Sequence, residues 1–129
     1  MIVLDTHAFI WYVDNPSMLS KKALSLIDLH IPDGNVYISS ISTWEILTLA
    51  AKGRIEFSIP ADVWIERCEK SGVFQFIPLD NTICRLSTSL GLHGDPADRF
   101  ISATSIYMGA PLITKDRKLR QSKKVTTIW

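Results

Sequence analysis

The sequence predicts a single α/β/α domain whose mainly parallel sheet has four to five short strands. Short apolar runs alternate with longer segments of helical periodicity along the 129 residues, as is typical of α/β proteins. The connections between these runs are too long for tight hairpins, so the strands must mostly run parallel. With 47% hydrophobic and 21% charged residues, the chain can bury a core, and the composition excludes intrinsic disorder.

The first half of the chain alternates two strands with three helices. The first helix must stop before Asn15-Pro16, because the residue before a proline avoids the helical conformation. Apolar residues recur at helical spacing in the second helix, and Pro32-Asp33-Gly34 has the composition of a turn. The third helix ends at Lys52-Gly53, a typical glycine cap. The predicted bounds are strand 1–4, helices 8–13 and 20–29, strand 36–38 and helix 42–51.

Prolines and glycines delimit the elements of the second half. Pro60 and Gly72 enclose one helix, and Pro96 and Gly109 enclose another, since proline is favoured in the first helical turn and glycine after the last. Apolar runs between the helices predict strands. The predicted bounds are helices 61–70, 81–90 and 96–108, with strands 73–78, 111–114 and 125–128.

Charge is distributed unevenly although the chain is nearly neutral. Fourteen Lys and Arg against thirteen Asp and Glu give a net charge of +1, which argues against a uniformly basic nucleic-acid coat. Residues 1–98 hold seven basic and twelve acidic residues, whereas residues 99–129 hold seven basic residues and one acid. The cations concentrate in 114–124. This segment is either a solvated surface or a positive rim beside a site for polyanions.

The cysteines and the apolar N-terminal segment indicate the cellular compartment of the protein. Cys68 and Cys84 lack the paired spacing of a zinc site, so we expect free thiols in a reducing compartment. The N-terminal segment has no cationic start and no cleavage site, and Asp5 interrupts its apolar run. No window approaches the ~20 apolar residues of a membrane span. The sequence predicts a soluble, cytoplasmic protein without a membrane anchor.

Four acids occupy comparable places in the predicted fold. Asp5 ends the first strand, and Asp116 follows strand 111–114. Glu45 and Asp98 each lie in the first turn of a predicted helix. In an open parallel sheet, ligands bind beyond the carboxyl ends of the strands, and four carboxylates meeting there would suit Mg²⁺ or Mn²⁺. Asp5 indicates function most directly, because an unpaired acid that closes a buried strand is destabilising.

Helix capping is the alternative role for the other three acids. Ser42 and Glu45 have the spacing of a capping box. Asp95 fits the N-cap of the following helix, with Asp98 as an acid that favours the helix dipole. Asp116 fits the N-cap of a short helix. These roles and a site role stay open at this point.

Other reaction chemistries lack their motifs. The chain has no GxxxxGK[ST] loop, and Gly91-Leu-His-Gly94 does not match a dinucleotide fingerprint. No GxSxG turn is present for a serine nucleophile, and Asp5-Thr6-His7 lacks the second aspartate of a dehalogenase-type phosphatase. We expect His7 to form hydrogen bonds near the site rather than to act as a base.

The four acids lie in segments that stand in a recognisable order. The segments are MIVLDTHAFIW at 1–11, ISSISTWEI at 38–46, LHGDPADRFISATS at 92–105 and PLITKD at 111–116. Through them, and through the closing VTTIW, the chain resembles a PIN-domain ribonuclease of the VapC toxin type. The similarity covers essentially the whole chain. Two positions depart from the pattern, because many relatives have lysine where Leu49 stands and arginine where Gly94 stands.

The resemblance implies one PIN-like nuclease domain over 1–129, a metal-dependent endoribonuclease that forms the toxin half of a toxin–antitoxin pair. The acids that correspond to the family's catalytic quartet are Asp5, Glu45, Asp98 and Asp116. Asp5, Asp98 and Asp116 are expected to hold Mg²⁺ or Mn²⁺, while Glu45 either orients the attacking water or helps to hold a second ion. The expected supporting residues are Thr6, which either caps the first helix or serves the site, Asp95 and Thr114.

The resemblance also implies partners, namely RNA, a cognate antitoxin and a second copy of the chain. The residues expected to bind the phosphate backbone are Arg99, Lys115, Arg117, Lys118 and Arg120. An antitoxin helix would lie in an apolar groove. The candidates for that groove, unless they pack the core, are Phe9, Trp11, Tyr12 and Leu19.

Three other classes of protein share parts of this pattern. A PIN-like RNA-binding module without catalysis would keep the basic rim, but should have lost at least one of the four acids. A structure-specific DNA nuclease would use the same metal chemistry, but 129 residues leave little room for DNA-gripping elements. A phospho-acceptor receiver domain would need an acid pair after the first strand and a lysine on a late strand, for which Lys115 is a weak match.

Overall fold

Five short strands form one parallel sheet in a computed structural model that describes residues 1–91 and 94–129. The strands are β1 Ile2–Leu4, β2 Val36–Ser39, β3 Gln75–Ile77, β4 Leu112–Ile113 and β5 Thr127–Ile128. They lie in the order β3-β2-β1-β4-β5, and every neighbouring pair is parallel. The predicted parallel sheet is confirmed. Leu92 and His93, inside one of the segments that carry the resemblance, lie outside the described residues.

Helices connect the strands at nearly the predicted bounds. They are α1 Thr6–Asp14, α2 Lys21–His30, α3 Ser40–Ala51, α4 Ala61–Lys70, α5 Asn81–Ser89, α6 Pro96–Met108 and α7 Arg117–Gln121, with a short 3-10 helix at Pro16–Met18. Helix α6 ends at Gly109, which takes the left-handed conformation predicted for a glycine cap. Helix α1 begins two residues earlier than predicted, because the carboxylate of Asp5 caps it.

The beginning of α3 corrects one prediction. Ser39 is the N-cap, and its hydroxyl accepts a hydrogen bond from the Ile41 amide at 3.3 Å. Ser42 is buried inside the helix instead, so the predicted capping box with Glu45 is wrong. Glu45 therefore lies in the second turn of α3 rather than in the first.

Apolar side chains cover both faces of the sheet. On β1, Ile2 and Leu4 pack into one core cluster together with residues of α1, α2 and α4. Val3, between them, faces the opposite way and packs against α6 and the segment that ends the chain. This alternation follows from the two-residue period of a strand. The sheet thus lies between two helical layers, which confirms the predicted α/β/α architecture.

The carboxyl ends of the central strands meet at one edge of the sheet. β1 lies between β2 and β4, so the chain leaves β1 toward β2 on one side and later returns to β4 on the other. The Asp5 amide donates to the carbonyl of Ile113 at 3.1 Å, which holds the ends of β1 and β4 together. This reversal of strand order creates the crevice in which open α/β sheets bind ligands.

The four residues expected to line an antitoxin groove divide between the core and the surface. Phe9 on α1 and Leu19 just before α2 pack into the core, with 0% and 8% exposure. Trp11 and Tyr12 stay partly exposed. The thiols of Cys68 and Cys84 are free, with Cys68 buried. None of the helices in the described part of the chain is long and apolar enough to span a membrane.

Candidate active site

A pocket of about 600 Å³ opens at this edge of the sheet. The residues that line it are Asp5, Thr6, His7, Trp11, Glu45, Asp95, Asp98, Ile101, Lys115, Asp116 and Arg117. All four acids singled out in the sequence are among them, although they come from four separate segments. Within residues 1–91 and 94–129, none of these carboxylates has a cationic side chain within 4 Å, since the one ion pair there joins Lys70 and Glu66 on α4.

Asp5 is held at the bottom of this pocket by two hydrogen bonds. Its Oδ1 accepts from the Ala8 amide at 2.8 Å, and its Oδ2 accepts from the hydroxyl of Thr114. Burial raises the pKa of Asp5 above its ordinary value, although these two hydrogen bonds act in the opposite direction. Asp5 thus serves both as a helix cap and as a buried acid that faces the pocket.

Thr114 links Asp5 to Asp116. Besides donating to Asp5, its hydroxyl oxygen accepts from the Asp116 amide at 3.0 Å. The Asp116 carboxylate in turn accepts from the Leu119 amide at 3.0 Å and caps α7. The predicted capping role of Asp116 is confirmed, and the same residue also lines the pocket.

Thr6 lies in the contact between helices α1 and α3. The hydroxyls of Thr6 and Ser42 form a buried hydrogen bond of 2.9 Å, which connects α1 to α3. The alternative that Thr6 caps α1 is wrong, because Asp5 occupies that position. The bond brings the start of α3, and so Glu45, against the end of β1.

Burial and the charges of neighbouring carboxylates both act on Asp98. It lies at the third position of α6, after the N-cap Asp95, whose Oδ1 accepts from the Ala97 amide at 2.9 Å. Burial, followed by the charges of the surrounding carboxylates, raises the pKa of Asp98 to about 7. The carboxylates that contribute are, in order, Asp116, Asp95, Glu45 and Asp5. The predicted cap at Asp95 is confirmed, and none of the acids around Asp98 forms a salt bridge within residues 1–91 and 94–129.

Four of the five predicted basic residues line a cavity next to the acids. Lys115 and Arg117 line the acidic pocket. A second cavity of about 390 Å³ adjoins it across Asp98 and Asp116, and its basic lining is Arg99, Arg117 and Lys118. Arg120 lies exposed on α7, outside the described lining of both cavities.

The oxygen donors of the pocket fit a hydrated divalent cation. In the described part of the chain, no group of three His, Cys, Asp or Glu side chains is arranged to hold a metal ion as it stands. Mg²⁺ generally keeps several waters and takes only one or two protein carboxylates, so a preformed cage is not required. The four carboxylates supply the hard oxygen ligands and the uncompensated charge that such an ion needs.

Sequence reasoning missed the position of Trp11. The sequence pattern places this residue in the core or in a partner groove, but its ring lines the acidic pocket beside His7. The i, i+4 spacing of His7 and Trp11 places the two rings on the same face of α1, one turn apart, on the helix that Asp5 caps. That spacing is the sequence signal through which Trp11 could have been assigned to the site.

The comparison with known proteins agrees with this geometry. Residues 2–125 match the PIN domain family, and the chain therefore belongs to that family. Ribonuclease VapC22 of Mycobacterium tuberculosis is 31% identical to this chain over an alignment of 132 residues that covers 99% of this chain and 98% of the relative. The resemblance inferred from the sequence is thus confirmed, and the chain is a homologue of a VapC ribonuclease.

Solved structures show the same fold at lower identity. FitAcB from Neisseria gonorrhoeae is 23% identical with a TM-score of 0.72, covering 100% of this chain and 97% of that one. VapBC2 from Rickettsia felis, bound to a DNA fragment from its promoter, is 16% identical with a TM-score of 0.72, covering 99% and 98%. At these identities the likeness shows the fold alone.

Proposed function

We propose that this protein is a metal-dependent endoribonuclease that acts as the toxin of a toxin–antitoxin pair. The observation that carries the proposal is the pocket at the switch point of the sheet, where four carboxylates meet without a cationic partner among the described residues. Its similarity to Ribonuclease VapC22 supports the choice of RNA as substrate. The presence of all four acids favours catalysis over RNA binding alone.

The residues of the pocket have separate roles in the proposed cleavage of RNA. Asp5, Asp98 and Asp116 would hold Mg²⁺ or Mn²⁺, directly or through waters, and the bound ion supplies an acidified water and neutralises charge on the phosphate. Glu45 orients the attacking water for in-line displacement at a phosphodiester. Thr114 positions Asp5 and Asp116 with one hydroxyl. No side-chain nucleophile is required.

The basic residues on both sides of the acids would draw the RNA backbone toward them. Lys115 and Arg117 reach the pocket, and Arg99, Arg117 and Lys118 line the adjoining cavity. The Nε of Arg99 is buried and has no hydrogen-bond partner among the described residues. A phosphate oxygen would satisfy this donor. Such contacts position the substrate and carry little sequence information.

Partners and location are part of the same proposal. The resemblance implies a homodimer and a cognate antitoxin, and toxin–antitoxin complexes among the structural neighbours support the latter. An apolar groove of about 460 Å³ between α1 and α4 offers a place for an antitoxin helix; Tyr12, Trp64 and Phe74 are among its lining residues. We place the protein in the cytoplasm, where both RNA and an antitoxin are available. Light scattering on the purified chain tests the dimer.

Asparagine at the metal-binding acids tests the proposal. Asp5→Asn and Asp98→Asn keep the size of the side chain, and asparagine can still cap α1. We expect each variant to lose RNA cleavage by roughly 100- to 1000-fold, because the charge that holds the ion is reduced. The assay incubates purified protein with total RNA and Mg²⁺, Mn²⁺ or EDTA and maps the cleaved ends. Induced wild-type protein should also arrest growth of a host, whereas Asp98→Asn should not.

Asp62→Asn provides the matched control, because Asp62 lies exposed on α4 outside the pocket. Cleavage that survives EDTA, or full activity of Asp98→Asn, would refute the metal mechanism. Binding of RNA without cleavage by folded, antitoxin-free protein would favour the RNA-binding module. Cleavage of branched or nicked DNA in preference to RNA would favour the DNA nuclease.

A further inference from the structure

An aromatic surface forms one wall of the acidic pocket. The rings of Trp11 and His7, one helical turn apart on α1, have centroids 5.7 Å apart and planes inclined by 51°. This inclination means that the imidazole does not stack flat on the indole, so part of the indole face stays available for another planar group. His7 is exposed and Trp11 is partly exposed.

The indole of Trp11 packs against other parts of the fold. Trp129, at the end of the chain, meets Trp11 in an edge-to-face arrangement at 6.0 Å between centroids. Trp11 also packs against the larger core cluster of the domain. A preorganised aromatic ring loses little conformational entropy when a ligand stacks on it. The arrangement therefore favours a planar ligand at this wall.

A cation lies next to the same ring. The Nζ of Lys115 is 5.8 Å from the centroid of Trp11, a distance typical of a cation–π contact. Lys115 is exposed, so its flexible side chain is free to move from the indole to a phosphate. The indole face could stack on a base. The ammonium of Lys115, and a metal ion held by the carboxylates, could bind the phosphate of the same nucleotide.

We propose that Trp11, together with His7, forms a nucleobase-stacking subsite for an unpaired nucleotide next to the cleaved phosphate. This inference rests on the proposed ribonuclease function and adds to it the two side chains that would hold the base beside the cleaved phosphate. A base in a duplex has both faces covered by its neighbours, whereas an unpaired base can stack on an aromatic side chain. The cavity lined by Arg99 and Lys118 lies on the other side of the acids, so the strand crosses the carboxylates between a stacked base and bound phosphates.

Binding measured without cleavage tests the subsite. In a Glu45→Gln background, which retains the three proposed metal ligands, fluorescence anisotropy reports the affinity for labelled single-stranded oligoadenylate and oligouridylate in the presence of Mn²⁺. We expect Trp11→Leu to weaken binding of oligoadenylate by about 5- to 100-fold and to reduce the preference for adenine over uracil. Trp11→Phe should recover most of the affinity, since it restores an aromatic face. Mn²⁺ affinity, measured by calorimetry, should be equal in all three proteins.

Trp44→Leu is the matched control, because Trp44 is 54% exposed on α3 and is absent from the described lining of the pocket. It should leave RNA affinity unchanged. Equal affinity of Trp11→Leu and its parent would overturn the subsite, as would a phenylalanine variant no better than leucine. Loss of antitoxin binding with RNA binding intact would assign the aromatic wall to a protein contact instead. If the parent binds no RNA and the wild type cuts none, the ribonuclease proposal itself fails.

Discussion

Thr114 shows how one uncharged residue organises two acids of the pocket. Its hydroxyl donates to Asp5 and accepts from the Asp116 amide, while the side chain itself is fully buried. One hydroxyl oxygen therefore links the Asp5 carboxylate to the backbone of Asp116. Because a buried acceptor left without its donor is destabilising, this position is sensitive to a change that preserves shape and removes polarity.

Thr114→Val is such a change. We expect it to lower the free energy of unfolding by about 1–3 kcal/mol, because Asp5 and the Asp116 amide lose their shared partner. Mn²⁺ affinity and RNA cleavage should fall as well. Urea denaturation and calorimetry measure these effects. Thr114→Ser, which retains the hydroxyl, should lie close to the wild type in metal binding; equal metal binding by the valine variant would show that Thr114 does not position the acids.

The raised pKa of Asp98 predicts the pH dependence of the metal-free protein. Its ordinary value is 3.8, whereas in the folded protein burial and the neighbouring carboxylates raise the pKa to about 7. Between these values the folded state holds a proton that the unfolded state has lost. The Asp98 contribution to the free energy of unfolding therefore falls as the pH rises from about 4 to about 7. Divalent cations bind the charged form and should stabilise the protein most above pH 7.

Thermal unfolding in EDTA between pH 5 and pH 8 measures this contribution. Asp98→Asn cannot titrate at this position, so its melting temperature should fall less over the same range than that of the wild type. Added Mn²⁺ should raise the wild-type melting temperature more at pH 8 than at pH 6. Parallel curves for the two proteins would contradict the assignment of the raised pKa to Asp98.

At the scale of the element, the ends of helices bring the functional side chains to the sheet edge. Asp5, Asp95 and Asp116 each cap a helix through a backbone amide, and each also lines the pocket. Helix capping and a place in the pocket, which the sequence leaves as alternatives, are therefore combined in the same residues. For Asp5 and Asp116 the reason is geometric, because α1 and α7 follow directly on the carboxyl ends of β1 and β4, whereas α6, which Asp95 caps, follows α5.

Asp95→Ala tests the contribution of a cap to the site. Loss of the bond to the Ala97 amide should lower the free energy of unfolding by about 1 kcal/mol and loosen the first turn of α6, which carries Asp98. Asp95→Ser keeps a capping oxygen without the charge and should cost only a few tenths of a kcal/mol. Urea denaturation distinguishes the two. A serine variant as unstable as the alanine variant would assign the effect to charge rather than to capping.

At the scale of the whole molecule, the fold joins the two charge-biased parts of the sequence. The net charge of +1 conceals an acidic pocket with basic residues on both of its sides. A nuclease that uses a metal ion needs both signs close together, carboxylates for the ion and cations for the phosphates. The overall charge is therefore no guide to nucleic-acid binding in this protein, whereas the placement of charge is.

Salt dependence tests this arrangement. Simultaneous Arg117→Ala and Lys118→Ala substitutions should weaken single-stranded RNA binding and reduce the slope of log K against log salt by about 0.7 for each phosphate that is no longer neutralised. Binding is measured by anisotropy over a range of KCl concentrations in the non-cleaving Glu45→Gln background. Lys21→Ala with Lys22→Ala, exposed on α2, is the matched control. An unchanged slope in the Arg117 and Lys118 variant would refute the basic rim.

Much of the fold is accessible from the sequence because its signals are local. Strand 1–4, the cap at Asp95 and the glycine end at Gly109 each depend on a few neighbouring residues. The start of α3 is not accessible in this way, since Ser39 and Ser42 are equally good caps by composition. Only the buried contact between Ser42 and Thr6 decides between them.

The sequence by itself determined the α/β class, the order of the elements and the four acids that line the pocket. It did so because apolar periodicity and capping residues act over short distances along the chain. The tertiary structure alone decided the site's electrostatics and its aromatic wall. The pKa of Asp98 depends on acids from other elements, and the place of Trp11 depends on Trp129 and Lys115. Contacts between residues so far apart in sequence exist only once the chain has folded.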